Sequence, residues 1–280
     1  MQRAMLRLLV LALVLPAAPL LFACGDSETR ESGRQSPPAA VGAEETGLRA
    51  REIVDGDTLV LDDWREVRLV GLQAPKLPLG RPDFPAWPLA EEAKAALGAL
   101  VLERALRLVY TGRPMDRHGR QLAHVYAEQG DGSETWVQGA LLEAGMARVY
   151  SFPDNRALVG ELLARETAAR QAGRGIWAEP FYAIRSPEEA AAGVDTFQVI
   201  EGRVLDAAVV RGRAYLNFGA DWKQDFTVTL APAVRRLFEA EGHDPRAYEG
   251  RRIRVRGWLK SFNGPMIEAT HPEQIELLEP

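Results

Sequence analysis

The chain has 280 residues and a formal net charge of -5, with 46% hydrophobic and 26% charged residues. That length can bury two ordinary cores, and that balance is globular rather than disordered. The acidic excess excludes a uniformly basic protein built to coat nucleic acid, while leaving room for a local basic groove.

The first 23 residues read as a signal peptide. Arg3 and Arg7 precede an apolar run over 8–23 that Pro16 and Pro19 interrupt, a pattern marginal for spanning a bilayer and suited to secretion. The run closes in Leu21-Phe22-Ala23-Cys24, which resembles the lipobox of bacterial lipoproteins. Cys24 is the one cysteine in the sequence, so it has no partner for an internal disulfide and suits lipidation. The alternative is an ordinary signal with an incidental cysteine. The expectation is an exported protein anchored to a membrane by lipid on Cys24, on the periplasmic or cell-surface side. Residues 24–46 have almost no large apolar groups and read as a flexible tether, with about 22 residues reaching roughly 25 Å.

Residues 47–178 form the first predicted domain. Strands over 48–54 and 58–61 flank Asp55-Gly56-Asp57, a tight-turn signal, and 67–72 is a third strand. A loop over 74–87 follows, rich in proline. Apolar residues Ala93, Leu97, Leu100 and Val101 then recur at helical spacing within 89–103. Strands over 106–110 and 121–127 complete an order of three strands, a helix and two strands, which is that of an OB-type barrel. Two more helices are expected over 135–143 and 155–172. Residues 179–195 read as a linker with a short helix. From 196 to 280 the same order recurs, with strands over 198–205, 214–218, 226–230, 253–259 and 266–269 and a helix over 234–240. This second unit is expected to be a smaller OB-like β-barrel.

Three strings carry the candidate chemistry: Val54-Asp55-Gly56-Asp57-Thr58; Arg68-Leu69-Val70-Gly71-Leu72-Gln73-Ala74-Pro75-Lys76; and Asp116-Arg117-His118-Gly119-Arg120. Each is weak alone, and their order on these elements is specific. Together with Leu89-Ala90-Glu91-Glu92-Ala93, the helix end Ala140 to Gly145 and Gly175-Ile176-Trp177, they resemble the staphylococcal nuclease family over 51–177. The resemblance implies a Ca²⁺-dependent phosphodiesterase acting on DNA and RNA. It places Asp57 at a metal-ligand position and Arg68 and Arg120 at the two positions that grip the scissile phosphate. It also puts Gln73 where a second ligand aspartate is expected, and Lys76 where a glutamate general base is expected. A hard cation wants carboxylate oxygens, and an ammonium is a poor base unless burial or like charge lowers its pKa far. The expected pocket is therefore a cationic hollow, Asp57 facing Arg68, Arg120 and an inward Lys76. Such a pocket makes Ca²⁺ doubtful and suits holding a nucleic acid or another phosphorylated or anionic ligand. Glu91, Glu92, Asp83 and Asp116 are the nearby acids that could substitute for the missing ones.

In the second unit Arg252, Arg254 and Arg256 alternate with Ile253 and Val255, placing the arginines on one strand face. With Trp258 they could form a basic, aromatic strip for single-stranded nucleic acid. The other reading is a cross-strand ladder of ion pairs, which suits a unit with as many acids as bases. Enzymatic activity is left open, with two broad outcomes: an active nuclease with a rearranged site, or a silent relative that binds anions or envelope proteins.

Overall fold

The structure, a computed structural model, describes residues 41–221 and 223–278. The expected signal peptide, Cys24 and most of the tether lie outside the described residues. Among the described residues no helix is long and apolar enough to cross a membrane.

The first half of the chain is built from β1 (Ala43–Asp55), β2 (Thr58–Leu61), β3 (Glu66–Leu69), β4 (Leu72–Gln73), α1 (Ala90–Val101), β5 (Ala105–Tyr110), β6 (Gln121–Glu128), β7 (Glu134–Trp136), α2 (Val137–Glu143), β8 (Arg148–Val149) and α3 (Val159–Gln171). Strands β1, β2 and β3 form an antiparallel meander, β1 pairs β5, β5 pairs β6, and β3 returns in parallel to β6. That last pairing closes a five-stranded barrel, with short β7 added on β6. Strand β1 starts at Ala43, inside the expected tether, because Glu44 and Glu45 pair with Val109 and Leu108 of β5.

Alternating inward residues of the strands, such as Leu59, Leu61, Leu106 and Leu108, fill the barrel, and α1 caps it with Ala93, Leu97 and Val101. These are three of the four residues whose spacing predicted the helix; the fourth, Leu100, packs partly buried against the same core. The Asp55-Gly56-Asp57 turn lies directly beneath this helix. A Cβ at Gly56 would stand 2.7 Å from the methyl groups of both Ala74 and Ala93, so glycine is required by close approach rather than by its dihedral freedom.

The second half comprises β9 (Phe197–Arg203), β10 (Asp206–Val210), β11 (Arg213–Asn217), β12 (Thr227–Leu230), α4 (Pro232–Ala240), β13 (Arg252–Ser261), β14 (Pro265–Ala269) and β15 (Ile275–Leu277). Its pairings repeat those of the barrel: β10, β11 and β12 form a meander, β12 runs parallel to β14, β14 pairs β13, and β13 pairs β9. Sequence reading had one strand over 198–205 and none at 206–210; the chain instead breaks at Val204 and Leu205 and turns into a second strand. The core is Val228, Leu230, Ile253, Val255 and Ile267, with Phe238 of α4 inserted. The expected linker is packed. Of its short 3-10 turns, Pro180–Tyr182 buries Tyr182, whose hydroxyl donates to Pro88 O at 2.8 Å, and Ala190–Gly193 buries Ala190 and Gly193.

Candidate functional site

The turn between β1 and β2 places Asp55 and Asp57 at one end of the barrel, both buried. Asp57 draws donors from every side. Lys76 Nζ donates to its Oδ1 at 2.7 Å and Oδ2 at 2.6 Å, Ala74 N to Oδ2 at 2.8 Å, and Thr58 Oγ1 to Oδ1 at 3.2 Å. Arg68 Nη1 forms a further ion pair with Oδ1. A carboxylate has about four lone-pair sites, so Asp57 has no acceptor capacity to spare. Burial opposes its charge, but Arg68 and Lys76 prevail and hold its carboxyl far below the usual range.

Lys76 also donates to Asp55 Oδ2 at 3.1 Å, while Asp55 Oδ1 accepts the Asp57 backbone N–H at 3.0 Å. Burial, and then the adjacent Asp57 charge, raises the Asp55 carboxyl above its ordinary value, against the pull of Lys76. Lys76 thus points inward as expected. The pocket is not a cationic hollow, however, because Asp55 supplies a second acid. Two carboxylates face Arg68 and Lys76, a formally neutral set.

Arg120 does not join them. It is held in its own loop, with Nε donating to Asp116 Oδ2 at 2.8 Å and Nη2 lying 2.7 Å from the same carboxylate. Asp116 Oδ1 also accepts from the backbone of His118 and Arg120. Asp116 is therefore the guanidinium's anchor, and not a replacement ligand beside Asp57. Arg68 and Arg120 both carry carboxylate partners. Arg68 has one further bond, from Nη2 to Leu72 O at 3.1 Å.

Gln73 faces a residue that sequence reading did not single out. Short strands β4 and β8 pair Gln73 with Arg148, and Gln73 Oε1 accepts from Arg148 Nε at 3.1 Å and Nη2 at 2.8 Å. The Arg148 guanidinium is buried, lies 4.7 Å from the Phe197 ring and within 5.9 Å of Tyr182 and Trp87, and has no ion pair with an acid among the described residues. Burial lowers its pKa to about 10. Trp87 makes tilted ring contacts with Phe84 and Phe181, so the proline-rich loop uses its aromatics to fasten itself down. Nothing in the string Met146-Ala147-Arg148-Val149 marks this arginine; its role comes from a strand pairing and from Phe197 in the other half of the chain.

A calcium ion needs roughly six to eight oxygen ligands with their lone pairs free. The residues present do not fit it: Asp57 is saturated, Asp55 is shared between Lys76 and backbone, and the Gln73 carbonyl oxygen is spent on Arg148. Among the described residues no group of three or more His, Cys, Asp or Glu is arranged to hold a metal.

The predicted strip on β13 is corrected by the structure. Arg252 is exposed and pairs with Glu201, but Arg254 is buried between Glu201 at 2.6 Å and Glu276 at 3.3 Å. Arg256 is 1% exposed. It reaches into the first half to contact both oxygens of Glu166 on α3 at 2.9 Å, and it pairs with Glu276 at 2.5 Å. Glu166 in turn accepts the Val149 N–H at 2.5 Å. Trp258, half exposed, is left without a basic strip. The arginine face is a ladder of ion pairs across β9, β13 and β15, covered by α3. Alternation told the faces apart but could not tell that a helix some 90 residues earlier covers one of them.

A closed five-stranded barrel capped by a helix, with this turn and arginine strand at its mouth, defines a nuclease-fold domain. Residues 66–179 match the model of the family described as staphylococcal nuclease homologue. The chain is also similar to two thermonucleases. It is 25% identical to that of Staphylococcus hyicus over 150 residues, 52% of this chain and 85% of that protein. To that of Staphylococcus intermedius it is 29% identical over 108 residues, 38% of this chain and 60% of that protein. These likenesses support a staphylococcal nuclease-type domain in the first half of the chain.

Proposed function

We propose that this protein is an exported, lipid-anchored nuclease-fold protein that binds nucleic acid without cutting it by a metal-dependent route. The observation that carries this reading is the Lys76 ammonium, seated 2.6–2.7 Å from both oxygens of Asp57. It puts a fixed cation where a hydrolytic site of this type would recruit a mobile one, and it stands at the position where a general base is needed. Losing a general base alone typically lowers the rate by about 10²–10⁴. Anchoring through Cys24 and the OB-like nature of the second sheet belong to the same reading.

With Arg68 and Arg120 paired internally, contact with phosphates passes to cations that lack a carboxylate partner. Arg117 is exposed and engages only the neighbouring His118 ring among the described residues. Arg117 acts electrostatically on Tyr150, whose ring meets exposed Phe152 edge-on at 4.8 Å. Cations beside a partly exposed aromatic pair suit a single strand, whose bases stack and whose backbone is negative.

The test incubates the full chain with single-stranded DNA and RNA in calcium, in magnesium and in chelator. The expected outcome is intact substrate in all three and salt-sensitive binding that weakens in Arg117→Ala and Phe152→Ala. Metal-dependent cleavage abolished by Asp57→Ala would overturn the reading.

A further inference from the structure

The outer face of the second sheet carries a cavity of about 450 Å³, within the range of small-ligand sites. It lies across β10, β11, β12 and β14, on the side opposite the core, and the hairpin joining β13 to β14 overhangs it. Its lining falls into two halves. One is a cross-strand polar ladder: Asn217 Nδ2 donates to Asp206 Oδ2 at 2.9 Å, and Thr227 Oγ1 donates to Asn217 Oδ1 at 3.2 Å. The registers Asp206↔Asn217 and Asn217↔Thr227 hold these three side chains in a row. The other half is apolar, from Tyr215, Met266 and Phe262. Phe262 is 68% exposed, a large ring standing at the rim with its face in water.

The charge pattern decides what fits. Asp206 is the one charged residue in the lining. On the neighbouring strands, Arg213 and Lys260 are both tied to Glu268, at 3.0 Å and 3.3 Å. A phosphate would meet the Asp206 carboxylate, which disfavours nucleotides. A purely apolar ligand would strand the polar ladder without partners. A ligand with one apolar face and a rim of hydroxyls satisfies both halves: its C–H face lies on the aromatic rings, while its hydroxyls donate to Asp206 and exchange hydrogen bonds with Asn217 and Thr227.

We propose that this cavity is a binding site for neutral saccharides, distinct from the nuclease-type site and independent of whether that site binds nucleic acid. The test titrates the full chain with maltotriose, cellotriose and tri-N-acetylchitotriose, following saturation-transfer NMR on the sugar and chemical shifts on the protein. A single-stranded oligonucleotide serves as the charged probe. Saturable binding of at least one sugar is expected, weakened about tenfold or more by Phe262→Ala and by Asp206→Ala. Both side chains are exposed, and unchanged far-ultraviolet circular dichroism would confirm that these variants fold. The Phe152→Ala variant should bind sugar normally. No saturable binding of any of the three sugars would overturn the proposal, as would binding indifferent to both substitutions or displacement of the sugar by the oligonucleotide.

Discussion

Two buried ion clusters in this molecule look alike chemically and differ in what they do. At the barrel mouth, Asp55 and Asp57 are matched by Arg68 and Lys76; between the two halves of the chain, Glu166 and Glu276 are matched by Arg256. Both take charges out of water, a cost repaid only by close geometry and full hydrogen bonding. In the first cluster a side-chain ammonium, Lys76, occupies the acceptors of both aspartates. The second fixes the two halves to each other, and through the Val149 N–H on Glu166 it also holds the short strand that presents Arg148 to Gln73. Ion pairing fills the acceptors of the first cluster and joins the halves at the second.

Removing one partner from the assembling cluster should have the largest effect. Arg256→Ala leaves buried Glu166 with its longer, 3.3 Å ion pair to Arg170, and should cost about 3–5 kcal/mol in urea unfolding. Replacing Arg256 and Glu166 together by apolar residues of similar size should recover much of that loss. A loss below about 1 kcal/mol for the single change would mean that the joint does not depend on this pair.

Acid should weaken the fold through two histidines outside the barrel-mouth cluster. Burial lowers the pKa of both His124 and His271 to about 4. His124 Nδ1 accepts from Trp136 Nε1 at 3.3 Å, and His271 shares hydrogen bonds with Ser151 and Thr270. Both are neutral in the native state and take up protons on unfolding. Their stabilisation is therefore complete above pH ~6.5 and is lost as pH falls toward about 4. At most ~3 kcal/mol each is at stake. Denaturant melts at neutral pH and near pH 4.5 should differ accordingly, and His124→Gln should flatten the dependence.

Lys76→Met should be milder, about 1–3 kcal/mol in chelator, because Arg68 still faces the acids. Its signature is rescue: calcium should raise the melting temperature of this variant and leave that of the natural chain unchanged. The smallest effect belongs to the partly exposed Arg65–Glu45 pair at 2.8 Å, where Glu45→Gln should change stability by at most about 1 kcal/mol.

The legibility of these two clusters differed for a physical reason. Gln73 and Lys76 could be read at once, since the nuclease-type positions lie within a single strand and the loop after it. Asp55 lies in the string that carries Asp57, and its part was not legible there: only the tight turn shows that both side chains face one cation, Lys76. The barrel order was legible because period-two strands and the stripe Ala93, Leu97, Val101 are local signals. Strand β10 was not, since the chain bends at Val204 and Leu205 without proline or glycine. Arg148 and Arg256 owe their roles to Phe197, Gln73 and Glu166, all distant in sequence, and no local pattern encodes such partners.

The central claim is that the Lys76 ammonium holds the cation's place at Asp57. It is tested most directly by calorimetric titration of calcium into the natural chain and into the Gln73→Asp, Lys76→Glu double variant. The account predicts no saturable heat from the natural chain and a binding isotherm from the double variant that disappears when Asp57→Asn is added. Calcium binding by the natural chain, lost on Asp57→Asn, would contradict it.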